Sequence, residues 1–463
     1  MNSIYKYKLN ILLGILCLIL SQKASSKALN TEQPPNVIFI FADDLGYGDL
    51  GTYGHPYMKT PNIDRLASEG TKFTRFYATG VTCSPSRTGF LTSKHPASFQ
   101  KYMAFHGFSG RTTITELLHN NGYYVGHIGK WHISGNENPP IGTYGMDYIK
   151  IMGNAEDDDI GRDDDIFTEA EKFLEKRSKS DQPFYLNVWG HISHYAVDPS
   201  DQFPKEFEDV KLDASRFDKY YQKKLKKSIE LNQDIDQSFR NYLGDVYSLD
   251  LAVGRLLKKL DELGLADNTI VVFSSDQGPA PVRMKPKKDP KLVANMLGWA
   301  GGLRGGKHEQ FEGGVRIPFI IRYPNHVPEG KVNTTSVLSG LDWLPSLCAI
   351  TKTPYSVNKF EGKDVSKVWF GEESNPERYL YWKTNSPNGS VSVLKNNWKL
   401  HYIKKEQKYV LYDLEKDKGE TKDISLQHPE ITKELIDKAK QWNSTLPTSY
   451  IKGEGKKNKR KSK

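Results

Sequence analysis

The chain has 463 residues, of which 37% are hydrophobic, 11% aromatic and 26% charged, a globular composition long enough for one large domain and an appendage. Its net charge of +9 is carried by its ends: Lys6, Lys8, Lys23 and Lys27 meet no acid in the first 28 residues, and residues 452–463 hold six Lys and one Arg against one Glu. The body between them is close to neutral, which removes any electrostatic reason to expect a nucleic-acid partner.

Residues 1–28 read as a secretory signal. Lys6 and Lys8 precede an apolar run of ten, Ile11 to Leu20, which is short of the ~20 residues a membrane span needs. Ser26-Lys27-Ala28 places small residues at the positions of a cleavage site. Export to the periplasm, cell surface or medium is therefore expected, and no later stretch is apolar enough to span a membrane. Cys17 belongs to the signal, so only Cys83 and Cys348 remain. That is too few for a disulfide framework, although one bridge between them is open. Cys348, in LPSLCAI, reads as a small buried apolar residue.

The body alternates strand and helix patterns. Asn36 to Phe41 (NVIFIF) is a continuous apolar run, as a buried parallel strand should be, and it ends in Asp43-Asp44. A helix over Thr60 to Gly70 has Pro61 in its first turn and Gly70 as its stop. A second helix over Thr113 to Asn121 leads into a strand at Tyr123 to Ile128. The helix Asp165 to Arg177 then precedes the strand Phe184 to Trp189. Residues 198–236, rich in Lys and Asp, look like an inserted surface segment. The long helix Arg240 to Leu263 runs into the strand Ile270 to Ser274, and Phe319 to Arg322 adds another. Such repeats imply an α/β fold, a large and mostly parallel sheet between helices, over 29–352. Beyond Thr353 the texture changes to short strands at Arg378 to Trp382, Val391 to Leu394, Trp398 to Tyr402 and Tyr409 to Tyr412, then a helix from Pro429. Residues 353–450 are thus expected to form a small antiparallel sheet plus helix, and 451–463 a disordered basic tail. The acidic runs at 156–159 and 163–165 read as a solvated face.

Polar residues at strand ends are where open α/β sheets hold ligands. Asp43 and Asp44 follow the first strand, and Asp276 and Gln277 follow the Ile270 to Ser274 strand. Three carboxylates and an amide oxygen are hard ligands, which select Ca²⁺, with Mg²⁺ second, over zinc. Lys130 and His132, after the Tyr123 to Ile128 strand, would face one site if the segment is extended. Trp189, Trp299, Tyr195, His191 and His308 flank the presumed pocket, where they suit sugar rings, although Trp189, at the end of a strand, reads equally as core.

The segment Cys83-Ser84-Pro85-Ser86-Arg87 carries the motif C-x-P-S-R, which resembles the signature of the formylglycine-dependent sulfatases of the alkaline phosphatase superfamily. The blocks DDLGYGDLG (43–51), GKWH (129–132), SDQG (275–278) and LRGGKHEQFEGGVRIP (303–318) are similar to that family's, in its order. The resemblance implies that Cys83 is oxidised to formylglycine by a maturation enzyme and that the hydrated aldehyde is the nucleophile on sulfur. It further implies that Arg87 holds this group near the metal, that Lys130 and Lys307 contact the sulfate, and that His132 accepts a proton. The leaving-group histidine falls at His194 ahead of His191, which is left to substrate contact or packing, and His308 is a further substrate contact. The cation would be held by Asp43, Asp44, Asp276, Gln277 and residue 83. The activity implied is hydrolysis of a sulfated polysaccharide or its oligosaccharides, with algal polymers such as ulvan or carrageenan ahead of glycosaminoglycans. The enzymatic rival is a phosphodiesterase or phosphonate hydrolase on the same scaffold.

Overall fold

Val37 to Phe41 is apolar without alternation because both faces of its strand are covered. Ile38 and Ile40 enter one core layer, while Val37, Phe39 and Phe41 enter the other. The structure is a computed structural model that describes residues 33–134, 139–155, 160–283, 289–372, 377–384 and 389–451. The expected signal segment, the acidic run 156–159 and the basic tail lie outside the described residues. From Asn36 onward the chain forms one compact unit.

The large sheet contains β1 (Asn36–Ala42), β2 (Thr71–Tyr77), β3 (Tyr124–Gly129), β4 (Tyr148–Ile151), β5 (Phe184–Trp189), β6 (Thr269–Ser275), β7 (Arg316–Arg322), β8 (Lys331–Asn333) and β9 (Leu338–Ser339). Its order is β4-β3-β5-β1-β6-β7-β2-β8, with β9 beside β2. Strands β4, β3, β5, β1 and β6 are mutually parallel, and within the described part of this sheet β7 runs against both of its neighbours, β6 and β2. The mostly parallel α/β sheet expected from the sequence is present. Strand β2 carried no apolar run to announce it: in TKFTRFY the inward positions are separated by Lys72, Thr74 and Arg75.

Helices cover both faces. On one side lie α1 (Pro61–Ser68), then α4 (Asp164–Arg177) and α6 (Ile235–Glu262); on the other lie α2 (Cys83–Thr92), α3 (Ile114–Asn120) and α7 (Trp343–Ile350). The segment 198–236 is less superficial than its charge indicated. It contains α5 (Lys219–Leu231) and buries Phe207, Phe217, Tyr221 and Leu225 in the first layer, with Lys219, Lys223 and Lys226 exposed and Lys224 turned inward to the carbonyl of Gly298. The period that hides these anchors is helical, so the charged face dominates a linear reading.

Strands β10 (Tyr379–Lys383), β11 (Val391–Lys395), β12 (Trp398–Ile403) and β13 (Lys408–Asp413) form an antiparallel sheet covered by α8 (Pro429–Ser444). Its other face packs Leu380, Trp382, Leu394 and Val410 against Tyr77, Val81 and Val315 of the large unit. Trp382 donates its indole N–H to the carbonyl of Ala78 at 2.8 Å. A buried network, Lys399 Nζ to Glu312 Oε1 at 2.7 Å and His401 Nε2 to Glu420 Oε1 at 2.6 Å, satisfies the polar groups in that seam.

Phe39 stacks against Phe41, Phe90 and Trp343 in the sealed layer below α2. Phe39→Ala is expected to cost about 3–5 kcal/mol of stability in urea unfolding. A loss below about 1 kcal/mol would show that this layer does not support the sheet.

Candidate active site

Because β3, β5, β1 and β6 are adjacent and parallel, the loops after them leave the same edge of the sheet. Asp43 and Asp44 leave β1, Lys130 and His132 leave β3, His191 and His194 leave β5, and Asp276 and Gln277 leave β6. The β6–β7 connection adds Lys307. The fifth contributor is α2, which begins at Cys83 after the extended Thr82 and has every residue from Cys83 to Thr92 buried. Gly89 lets this helix sit on the chain at residue 79, since a Cβ there would lie 2.1 Å from Thr79 Oγ1.

Cys83 is at the centre. Its sulfur lies 3.2 Å from Asp43 Oδ1, 3.9 Å from Asp44 Oδ1, 3.4 Å from Lys307 Nζ, 3.9 Å from Lys130 Nζ and 3.5 Å from Gln277 Nε2. Burial, then Asp276 and Asp43, push its thiol well above the ordinary range. The side chain is therefore a neutral thiol at physiological pH, the opposite of an activated cysteine nucleophile. Cys83 and Cys348 are both free thiols, so the bridge between them is not made.

Arg87, one turn on, is fully buried. Its Nη2 lies 2.9 Å from Asp276 Oδ2 and 3.5 Å from Asp43 Oδ1, and the guanidinium sits over the rings of Trp189 and Phe41 at 5.0 and 5.3 Å. Trp189 is thus a floor of the site and not a sugar platform. Lys130 pairs with Asp43, and Lys307 with Asp44 at 2.8 Å. Burial works against the charge of both lysines, but Asp43 holds Lys130, and Asp44 holds Lys307, above the usual ammonium value. Burial raises the Asp43 carboxyl, yet Lys130, His194, Arg87 and Lys307 outweigh it and hold the group well below the carboxylate range. Burial, then Asp43, push Asp276 up to about 7 against the pull of Arg87.

One oxygen from each of Asp43, Asp44 and Asp276 and the Cys83 sulfur lie within 4.8 Å of one another, a spacing that fits a single cation. The amide of Gln277 donates to Asp44 Oδ1, while its Oε1 is buried without a partner. Rotating that amide by half a turn would give the orphaned oxygen a role at a cation and end the burial of an unpaired acceptor. The carboxyl of Asp276, which keeps its proton near neutrality, is one that a divalent ion would ionise. The donor set therefore fits a hard cation.

The histidines separate. His194 Nε2 is 3.8 Å from Asp44 Oδ2, and its Nδ1 is bonded to the carbonyl of Tyr195 at 2.8 Å. His191 does not join the cluster: its Nε2 is bonded to the carbonyl of Met152 at 2.8 Å, and its backbone N–H to Asp163. Asp163, read as a solvated acid, thereby fastens the loop that presents His194. His132 reaches the rim by a different route from the one expected. The segment is not extended there, because His132 has φ +55° after Gly129 at φ +97°. Burial of the ring edge, then Lys130, lower its imidazole to about 4. His308 is exposed beside Lys307, also at positive φ, +79°. Trp299 is tied to Asp218 through its indole N–H at 2.7 Å. Tyr102, which nothing in its sequence surroundings marks, is hydrogen-bonded to Thr82 next to Cys83.

The family model described as sulfatase matches residues 35–353, more than half of the chain. The chain belongs to the sulfatase family. A second model, N-sulphoglucosamine sulphohydrolase C-terminal, matches residues 306–445. Arylsulfatase A of Homo sapiens is 30% identical over 471 residues, covering 86% of this chain and 84% of its own. N-acetylgalactosamine-6-O-sulfatase of Bacteroides thetaiotaomicron is 27% identical, covering 90% and 94%. In fold, this sulfatase is similar to the crystal structure of Ps i-CgsB in complex with k-i-k-neocarrahexaose, with TM-score 0.75, 24% identity and coverage of 90% and 95%. The protein is a sulfuric ester hydrolase.

Arg87→Met would strand two buried carboxylates and is expected to cost about 3–5 kcal/mol in chemical unfolding. In a double-mutant cycle with Asp276→Asn the two losses should fall short of additive, whereas additivity would show that the pair is not coupled.

Proposed function

We propose that this sulfatase cleaves the sulfate esters of a sulfated polysaccharide or its oligosaccharides, using formylglycine made from Cys83 and a bound Ca²⁺. The observation that carries the reading is the setting of residue 83: a buried, neutral thiol, useless as a thiolate, at the centre of three carboxylates and two lysines. Hydrated formylglycine at residue 83 would supply one hydroxyl to form a bond to sulfur as the ester's alcohol oxygen departs, and a second whose deprotonation would expel sulfate and restore the aldehyde. Ca²⁺ supplies charge that offsets the sulfuryl oxygens.

The chain's own groups do the rest. Arg87 fixes Asp43 and Asp276 on the side facing α2. Lys130 and Lys307 bring two ammonium groups to within 4 Å of the residue 83 side chain, where they hold and orient an anionic group. The first turn of α2 adds backbone N–H groups with the same preference. His132 is neutral above about pH 4 and so is free to accept a proton at its rim position. His194, tied at Nδ1, has Nε2 on the Asp44 side to carry a proton to the leaving oxygen.

Three measurements test this. Cys83→Ala should lose at least about 10³-fold in kcat with an unchanged circular dichroism spectrum, and peptide mass should show an aldehyde at position 83 in active protein. An unmodified thiol in fully active enzyme would overturn the proposal. Since His132 must be neutral, activity is retained above its folded pKa and lost as pH falls through it. The acid limb of kcat should therefore lie well below 6.5, and His132→Ala should abolish that limb along with most turnover. Sulfate release from ulvan, carrageenan and glycosaminoglycan oligomers decides the substrate. Turnover of aryl sulfate without release from any glycan would sink the carbohydrate reading, and a higher kcat/KM on a phosphodiester would favour the rival chemistry.

A further inference from the structure

A cleft of about 400 Å³ opens beside residue 83, lined by Thr82, Tyr102, Phe105, His308, Lys383 and Tyr450. It shares a wall with the site. Thr82 immediately precedes Cys83 at the start of α2, and His308 follows Lys307 and donates its backbone N–H to the carbonyl of Val81 at 2.8 Å. The rings of Tyr102 and Phe105 lie 5.9 Å apart, and Phe105 is 52% exposed. Two aromatic rings at a cleft wall suit the apolar faces of a sugar.

Lys383 adds a charge requirement. The described residues include four buried lysines, and three of them face carboxylates: Lys130 with Asp43, Lys307 with Asp44, and Lys399 with Glu312. Lys383, only 5% exposed, is different. Among the described residues its hydrogen-bond partner is an amide oxygen, Asn443 Oδ1 at 2.5 Å, and it forms no ion pair. A buried ammonium without a counter-ion is costly, and an anion entering the cleft would supply one. The surroundings favour such an anion, because no carboxylate lines the cleft among the described residues.

We infer that this cleft is a subsite for an anionic sugar residue of the substrate, with Tyr102 and Phe105 against its ring and Lys383 pairing with a carboxylate or second sulfate. The inference rests on the carbohydrate reading above and narrows it to glycans whose acidic group lies close to the scissile sulfate.

The test uses inhibition of aryl sulfate turnover, so that it is independent of which glycan is hydrolysed. The probes are a desulfated chondroitin disaccharide, carrying one glucuronate, and its carboxyl-reduced counterpart. The wild type should be inhibited competitively by the acid form at least tenfold more strongly than by the reduced form. Lys383→Gln should erase that preference, Lys383→Arg should keep most of it, and Phe105→Ala, at an exposed position, should weaken both probes alike. Equal inhibition of the wild type by the two probes, or a preference that survives Lys383→Gln in a protein with wild-type Tm, would overturn the subsite. A clear preference for the acid form together with no sulfate release from any glycan would instead uphold the subsite and overturn the reading of the substrate.

Discussion

Three carboxylates meet at the edge of the sheet, and the site depends on what offsets them. Asp43, Asp44 and Asp276 are buried within a few ångströms of one another, and three cations, Arg87, Lys130 and Lys307, are paired with them. The six groups balance formally, so the chain can fold around them without an ion. A divalent cation bound there would tip the cluster to a net positive charge, which is the condition for receiving a sulfate group in a place with little water. The split between Asp43, held strongly ionised, and Asp276, held near neutrality, reports the same crowding.

The fold supplies this crowding cheaply. Parallel strands with a common edge bring the ends of β1, β3 and β6 together without any contact between distant loops being needed. Helix α2 then enters below them with Arg87 pressed over Trp189 and Phe41, so that one turn of helix links residue 83 to the acids. The antiparallel reversal at β7 matters as well. Because β7 runs against its neighbour β6, the connection between them begins and ends at this same edge, and it is the stretch that brings Lys307 to Cys83.

Much of this was legible in the sequence, for physical reasons. A strand buried on both faces must be apolar throughout, so β1 and β6 and the acids behind them could be read directly. The positions of Cys83, Arg87, Lys130 and Lys307 rested on the resemblance of several blocks in order, since spacing alone would not bring residues 83 and 307 together. What escaped was set by side-chain direction and by tertiary contacts. His191 and His194 are three residues apart in one loop, yet the carbonyl of Met152 captures the first and leaves the second beside Asp44. His132 was expected on an extended segment and instead turns through a positive φ. Strand β2, with polar residues between its inward positions, gave no apolar signal, and Lys383 looks like any surface lysine until its burial and its lack of an acid partner among the described residues are known.

The most direct test of the central claim is the identity and number of divalent ions held by the chelated, matured protein, measured by calorimetric titration alongside sulfate release. The charge balance around residue 83 predicts one Ca²⁺ per chain, lost in Asp276→Asn, with hydrolysis returning as the ion binds. Full sulfate release from ion-free protein, or recovery with Zn²⁺ alone, would contradict it.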